Sequence, residues 1–382
     1  MSFEDYVNAY YKGGLDISKR YGIRKDNLTT GDAMYFNVMY GASVFNQLNT
    51  KSDVFKLFRK EGWTQSGWRT LTARSAAASN IGVAEGAGFG TSDVPDLYEM
   101  EATIKEIVSP YTVSTRAAIL SEADDGVKGL AAFLRAQAAE AHSFYIDQHL
   151  CADYAAVAVA GSDVNFTPLT RIVSNYAQVG ARSGTAAAEV NVYNLARDND
   201  ATRQWADAYV NGAGGTNRVL SLDILDTTIQ NAIENGASYD NLILLMGHQQ
   251  LTELKQLITA GSSNATWRMA LESQAPKGTN GVTSQPGMNL DQRMGYYDSI
   301  PIYATQHLAT GMTDQSGGTS MGPILLLDME HLYMKIAAPT TFLAQEDLAN
   351  VQALKRNYAF MTAGELICTK FASQGLITDL KQ

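Results

Sequence analysis

The most constraining feature of this 382-residue sequence is one continuous helical pattern over residues 121–154. It opens with Ser121-Glu122-Ala123-Asp124, which places a capping hydroxyl and two carboxylates where the free N–H groups and the dipole of a helix favour them. At 1.5 Å per residue such a helix is about 50 Å long. The chain must therefore be built around one helical spine. The apolar or small residues that recur every three or four positions are Val127, Leu130, Leu134, Ala138, Ala141 and Tyr145.

Two segments before this spine have little core of their own. Residues 1–66 predict a helical arm, with a short second helix from Asp53 to Lys60. The other segment, 67–118, predicts a β-ribbon whose arms are Trp68–Thr72 and Ala102–Thr115, on either side of a glycine-rich tip. Because an isolated ribbon is only marginally stable in water, we expect this one to lie on a neighbouring subunit.

The sequence after the spine becomes regular only from Ser221 onwards. Residues 119–175 contain the spine and its exit, and residues 176–218 are irregular and predict an insertion. Residues 219–330 predict a compact α/β domain, and 331–382 predict a returning β segment. The predicted elements are helices from Leu222 to Ile233 (ended by Asn235-Gly236) and His248 to Ile258, and strands at Leu242–Met246, Ile300–Thr305, Ile324–Asp328, Tyr333–Ala337, Thr341–Ala344, Val351–Ala359 and Glu365–Phe371.

Composition excludes several classes of protein. The chain has 29 basic and 39 acidic residues, a net charge of −10, and no basic stripe, so we expect no binding of nucleic acid by phosphate neutralisation. No run of about 18 apolar residues predicts a membrane span. The acidic N-terminus does not resemble a secretory signal. Two cysteines, Cys151 and Cys368, cannot form a disulfide framework, and we expect synthesis in the cytoplasm with both thiols reduced.

Three patterns invite a catalytic or binding interpretation. Gly318–Gly322 matches the G-x-S-x-G nucleophile elbow around Ser320, but an elbow needs a strand before it and a helix after it, and here Pro323 and a predicted strand follow. Gly86–Gly90 lacks the ending of a phosphate-binding loop and does not open a helix. His142 and His149 share a helix face without further ligands at metal-binding spacing, so we expect packing or surface histidines. We expect no catalytic residue, cofactor or metal.

The order of these parts resembles the Johnson fold, the α+β fold of Hong Kong 97-like major capsid proteins of tailed double-stranded DNA viruses. In that family the parts are the N-arm, the E-loop ribbon, the P-domain with its long spine helix, and the A-domain. The segments that carry the resemblance are Asp147–Leu150 with Gly161 and Pro168-Leu169, Leu242–Met246 with His248–Leu254, Gly295–Thr305 with Ile300-Pro301-Ile302, Ile324–Asp328 with Tyr333 and Lys335, and Arg356–Phe371.

The resemblance implies a subunit that assembles with itself into hexamers and pentamers, forming an icosahedral shell around double-stranded DNA without sequence-specific binding. The implied location is the virion capsid, and the implied partners are portal and scaffolding or cement proteins, with no membrane. The chain opens on Met1 without a long charged prefix, so we expect neither a fused scaffold nor a removed propeptide. The E-loop residues expected to contact a neighbouring subunit are Ile81, Gly86, Phe89, Gly90, Asp93 and Lys105.

Some members of this family join an E-loop lysine to an asparagine of a neighbour. Lys105 is the only lysine between Lys60 and Lys128, and it stands beside Glu106 and near Glu101. We expect a surface ion pair and no crosslink, since nearby carboxylates favour the charged, unreactive form of an amine.

Two other functions stay open at this stage. An encapsulin, which encloses cargo enzymes, has the same fold, although the helical N-terminal arm favours a virus. A serine hydrolase that uses Ser320 is the more remote alternative.

Overall fold

The structure is a computed structural model that describes residues 54–73, 85, 95–114, 130–152, 164–176, 192–197, 205–213, 216–260, 269–270, 293–308, 322–343 and 355–381. The strands are β1 (Arg59–Gly62), β2 (Gly67–Ala73), β3 (Asp96–Glu101), β4 (Lys105–Ser114), β5 (Tyr209–Asn211), β6 (Leu242–Gly247), β7 (Met269–Ala270), β8 (Arg293–Tyr297), β9 (Ile300–Thr305), β10 (Ile324–Asp328), β11 (Leu332–Leu343), β12 (Lys355–Cys368) and β13 (Gly375–Ile377). The α-helices are α1 (Leu130–Leu150), α2 (Leu169–Ile172), α3 (Leu222–Glu234) and α4 (His248–Ala260).

The chain divides into two compact units. One comprises Met1–Lys51, Ile107–Tyr145 and Ala338–Thr362, and the other comprises Ser52–Glu106, Ile146–Ala337 and Ala363–Gln382. The described strands form three sheets, in the orders β1-β11-β12-β4, β5-β13-β10-β6-β9-β8-β7 and β2-β3. Helices and sheets with both parallel and antiparallel pairs occur together in the described chain, which agrees with the predicted α+β class.

The seven-stranded sheet contains three strands that the sequence predicts within residues 219–330. The bounds of β9 and β10 agree with the predicted strands, and β6 contains the predicted Leu242–Met246. All three strands are buried along their whole length, which is why they are near-continuous apolar runs instead of alternating ones. Strand β6 pairs parallel with β9 and antiparallel with β10. Each fully buried Leu or Ile of this core contributes about 1.5–3 kcal/mol to folding.

Helix α3 begins and ends where the sequence predicts. The Ser221 hydroxyl accepts a hydrogen bond from the Ile224 amide, and the helix ends at Glu234, one residue before the predicted Asn235-Gly236 stop. Gly236 has a φ of +86°, and the Ala237 amide donates to the Ala232 carbonyl at 3.0 Å. This is the Schellman arrangement, in which a glycine satisfies the last carbonyls of a helix.

The four-stranded sheet corrects three predictions of local structure. The predicted helix from Asp53 to Lys60 is wrong, because a turn leads there directly into β1, which pairs parallel with β11. The two predicted strands on either side of Pro339 are one continuous strand, β11. Pairing with β1 ends at Ile336, and a strand that is an edge on one side tolerates a proline. In the same way, the last two predicted strands belong to the single strand β12, whose predicted start before Lys355 lies outside the described residues.

Helix α1 is the predicted spine, but its buried face differs from the predicted one. Its predicted start lies outside the described residues, and it ends at Leu150, before the predicted end at 154. Tyr145, predicted to face inward, is 44% exposed, while its neighbours His142 and Ile146 are buried. The prediction of the buried face was wrong because it placed only apolar residues inside. The helix also buries the polar side chains of His142 and Asp147, which have hydrogen-bond partners in the interior.

Candidate assembly surfaces

Strands β2 and β3 form an antiparallel ribbon. Its returning strand, β3, precedes in sequence the segment that was predicted for that role. The register pairs Trp68 with Met100, Arg69 with Glu99, and Leu71 with Leu97. The prediction that Ala102–Thr115 is the returning arm is wrong, because the strand in that range, β4, belongs to the four-stranded sheet. Both segments are extended in sequence, and only the pairing of β4 with β12 separates them.

The ribbon has one buried face and one exposed face. Its inner face carries Trp68, Thr70, Tyr98 and Met100, of which Met100 is 1% exposed. Its outer face carries an exposed ion pair between Arg69 and Glu99 at 3.1 Å. Beyond that pair, Leu71 and Leu97 stand directly opposite each other and are 53% and 61% exposed. Two exposed leucines in register form an apolar patch that nothing in the described part of the chain covers.

The inner face of the ribbon rests on residues from the predicted insertion. The Trp68 ring meets Tyr193 edge-on at a centroid distance of 5.3 Å, and the Tyr98 ring lies 5.4 Å from Trp205. Neither contact could be predicted, because the sequence around positions 193 and 205 has no periodicity that indicates burial. The aromatic residues of this segment, Tyr176, Tyr193, Trp205 and Tyr209, are spread along it and are no more frequent than in the rest of the chain.

Lys105, the one predicted contact residue within the described chain, is largely buried. Its ammonium lies 2.8 Å from a carboxylate oxygen of Glu365 and donates to the Thr167 hydroxyl at 2.9 Å. The side chains of Lys105 and Glu365 are 11% and 1% exposed, so the predicted surface ion pair is wrong. Burial raises the pKa of Glu365, while Lys105 and the amides of Thr167 and Leu366 oppose that rise. The pair ties β4 to β12 at the point where the chain leaves the ribbon.

Asp147 holds the turn that precedes β1. The carboxylate of Asp147, buried on α1, accepts hydrogen bonds from the amides of Val54 and Phe55 at 3.2 and 2.7 Å. The first amides of a helix need hydrogen-bond acceptors from outside the helix. Asp147 accepts from the amides of Val54 and Phe55 in the same way, although the predicted helix does not form there. These two hydrogen bonds fix the turn before β1 to the end of α1.

The other predicted contact residues, Ile81, Gly86, Phe89, Gly90 and Asp93, lie outside the described residues. Their contact with a neighbouring subunit stays a prediction.

The hydrolase interpretation of Ser320 loses its structural context. Ser320 itself lies outside the described residues, but Gly322 and Pro323 lead directly into strand β10 where an elbow needs a helix. The nearest acid and base have structural partners, since Asp328 accepts from the Glu330 amide at 3.1 Å and His331 pairs with the Thr369 hydroxyl at 3.1 Å.

His142, Cys151 and Cys368 are core residues, whereas His149 is half-buried. His142 is fully buried, and its two ring nitrogens lie 2.8 Å from the hydroxyls of Ser109 and Thr362. Burial raises the pKa of Cys151 well above its usual value and that of Cys368 to about 12, which disfavours a reactive thiolate. Among the described residues, no three His, Cys, Asp or Glu side chains converge as metal ligands, and no helix is long and apolar enough to cross a membrane.

Comparison with solved structures resolves what this arrangement is. The cyanophage A-1(L) capsid asymmetric unit is similar at a TM-score of 0.60 and 13% sequence identity, over 89% of this chain and 96% of that chain. The capsid of a native GTA particle has a TM-score of 0.54 at 10% identity, over 89% and 93% of the two chains. A solved structure from Microbacterium phage Oxtober96 is similar at a TM-score of 0.52 and 10% identity, over 93% of this chain and 99% of that chain.

The chain has the phage capsid fold.

No family profile and no curated protein matches the sequence. The capsid fold is therefore recognised through its structure, and the resemblance seen in the sequence is confirmed at that level. The division of this capsid fold at residues 66, 118, 175, 218 and 330 stays a prediction.

Proposed function

We propose that this chain is a major capsid protein, a structural subunit that associates with itself into hexamers and pentamers of a closed icosahedral shell. The observation that carries the proposal is the capsid fold, which matches over 89% of this chain and 96% of the cyanophage capsid chain. The shell would enclose double-stranded DNA in the virion, and portal and scaffolding or cement proteins would be its further partners.

The outer face of the ribbon supports self-association. Leu71 and Leu97 are each more than half exposed, so covering them with a second copy would contribute roughly 1 kcal/mol each at about 25 cal/mol per Å². The Arg69–Glu99 pair beside them supplies a polar rim with both signs of charge. Every subunit of a closed shell repeats this contact, so a small contribution per subunit is multiplied around the assembly.

The charge of the chain supports a container rather than a nucleic-acid-binding protein. A net charge of −10 repels phosphate groups and does not condense the subunit on DNA. The wall would hold its genome by enclosure.

Negative-stain microscopy of the purified full-length protein tests the proposal directly. We expect closed shells or capsomer rings. A protein that stays monomeric under assembly conditions, including added scaffold or crowding agent, would refute the proposal.

Paired variants of the outer face test which surface assembles. The Leu71→Ser/Leu97→Ser variant should form fewer shells at equal subunit stability. The control Leu71→Met/Leu97→Met keeps the apolar area and should assemble normally. Equal assembly by the Ser and Met variants would exclude this face as a contact.

A serine-reactive fluorophosphonate tests the remaining hydrolase alternative. We expect no covalent labelling of the chain. Labelling that disappears in Ser320→Ala would contradict a purely structural role.

A further inference from the structure

A tight turn in the predicted insertion holds the base of the ribbon. Val192 and Leu195 exchange two backbone hydrogen bonds, of 3.0 and 2.9 Å, which leaves Tyr193 and Asn194 at the end of the turn. We name residues 192–195 the clamp turn. The side chains of Tyr193 and Asn194, at the tip of this turn, form hydrogen bonds with two different strands.

Asn194 binds the free edge of the ribbon. Its side-chain amide donates to the Glu99 carbonyl at 3.0 Å, and its side-chain oxygen accepts from the Glu101 amide at 2.9 Å. The carbonyl of one residue and the amide of the second residue after it face the same edge of a strand. Asn194 therefore takes the place of one residue of a neighbouring strand along β3.

Tyr193 makes the same kind of contact with β12. Its hydroxyl donates to the Leu366 carbonyl at 2.5 Å and accepts from the Cys368 amide at 3.0 Å, again a carbonyl and the second amide after it. Burial, with further contributions from Cys368 and Glu365, raises the pKa of Tyr193 well above its usual value, so the hydroxyl keeps the proton it donates. Its ring also packs against Trp68 of the ribbon.

The backbone of the clamp turn shows that these contacts determine its shape. Tyr193 has a φ of +57°, in the left-handed region that favours glycine and that bulky residues avoid. Such a conformation persists where surrounding contacts over-determine it. The hydrogen bonds of the Tyr193 hydroxyl to β12 and the contact of its ring with Trp68 hold the residue in this conformation.

Arg197 fixes the clamp turn to the body of the same unit. Its fully buried guanidinium donates to the carbonyls of Arg171 and Ile172, at 2.8 and 2.7 Å, and to that of Ala206 at 2.9 Å. The guanidinium carbon lies 5.2 Å from the ring centroid of Phe371. Arg197 thus fixes the chain just after the clamp turn, while Asn194 binds β3 and Tyr193 binds β12.

We propose that the clamp turn is a positioning device that sets the direction in which the ribbon leaves the subunit, with Asn194 as the residue that holds the ribbon. A ribbon of two strands has no core of its own, so its angle depends on the contacts of its inner face with Tyr193 and Trp205 and on the edge contacts at Glu99 and Glu101. The insertion at 176–218 thereby acquires a role, namely to aim the ribbon at a second copy. This inference rests on the proposed function.

Hydrogen exchange on the full-length subunit tests the clamp itself. Asn194→Leu keeps the size of the side chain and removes both hydrogen bonds. We expect the Glu101 amide to exchange at least ten-fold faster, while the amides of β6 exchange at the wild-type rate. Asn241→Leu is the matched control, because Asn241 also donates a side-chain hydrogen bond to a distant segment, at Glu330. Unchanged exchange at Glu101 would overturn the clamp.

Shell geometry then tests the positioning role. With melting temperatures equal to that of the Asn241→Leu control, Asn194→Leu should give open or size-heterogeneous particles, and Tyr193→Phe should do so to a smaller degree. Faster exchange together with shells identical to the wild type would overturn the positioning role. If the wild type itself forms no shells, the proposed function fails, and exchange at Glu101 still decides whether the clamp exists.

Discussion

Replacing Lys105 by Met is the sharpest test of how the capsid fold is held together below the ribbon. The substitution keeps most of the apolar stem and removes the ammonium that lies 2.8 Å from Glu365. Glu365 is 1% exposed and would keep only the amides of Thr167 and Leu366, at 2.8 and 2.9 Å, both on one carboxylate oxygen. Leaving one charge of a buried pair without its partner costs about 3–5 kcal/mol.

The ribbon provides a matched control in its own ion pair. Arg69 and Glu99 lie 3.1 Å apart, but their side chains are 72% and 76% exposed. Arg69→Met should therefore cost at most about 1 kcal/mol. The double variant Lys105→Met/Glu365→Met removes both buried charges and should recover most of the stability lost in Lys105→Met.

The pH dependence of Lys105→Met has a definite sign. Burial already raises the pKa of Glu365 above 4.5, and loss of Lys105 removes the largest opposing effect. Between the unfolded pKa and the raised folded pKa, the native state binds more protons than the unfolded state, so stability rises as the pH falls. The destabilisation by Lys105→Met should therefore shrink as the pH is lowered from 7.5 towards 5.

Urea unfolding of the dissociated subunit, followed by tryptophan fluorescence at both pH values, measures these differences. The reasoning is refuted if Lys105→Met and Arg69→Met cost the same at pH 7.5. It is refuted equally if the cost of Lys105→Met grows on acidification.

Four further predictions concern assembly and stability. Deleting Ile81–Asp96 should leave a soluble subunit that forms no shells, because the ribbon then cannot reach a neighbour; normal shells by microscopy would contradict this. Boiled particles should run on a denaturing gel as a single band near 41 kDa, because we expect no covalent link between subunits, and a ladder of multiples would show a crosslink. Burial lowers the pKa of His142, so the unfolded state binds its proton more readily, and wild-type stability should fall more steeply below pH 6.5 than that of His142→Gln. Gly364→Ala should cost about 1–3 kcal/mol in urea unfolding, because its Cβ would lie 2.3 Å from the Lys335 carbonyl oxygen. Gly62→Ala, whose Cβ meets nothing within 4 Å, should cost less.

Much of the fold was predictable because its signals are local. The Ser221 cap and the Gly236 stop involve partners within a few residues, and both ends of α3 were predicted closely. The buried apolar runs of β6 and β10 were predicted for the same reason, since a continuous apolar run of that length indicates an interior strand. The order of such elements along the chain was enough to indicate the capsid fold.

The surfaces proposed for assembly were less predictable. The sequence indicated a ribbon near residue 68, but Asp96–Glu101 and Lys105–Ser114 are both extended, and neither carries a mark of the strand it pairs with. Tyr193 and Asn194 lie in a segment with no periodicity, so their contacts with two strands had no local signal.

The sequence by itself thus determined the spine helix, helix α3, the buried strands and their order, and the tertiary structure decided where the polar side chains belong. Asp147 binds amides 93 and 92 residues away, and Lys105 binds a carboxylate on another strand. A charged side chain is equally compatible with solvent and with the interior until its partner is known, because burial without a partner costs several kcal/mol and burial with one costs little. That difference depends on residues brought together only by folding, and it decides which way α1 faces and where the ribbon is held.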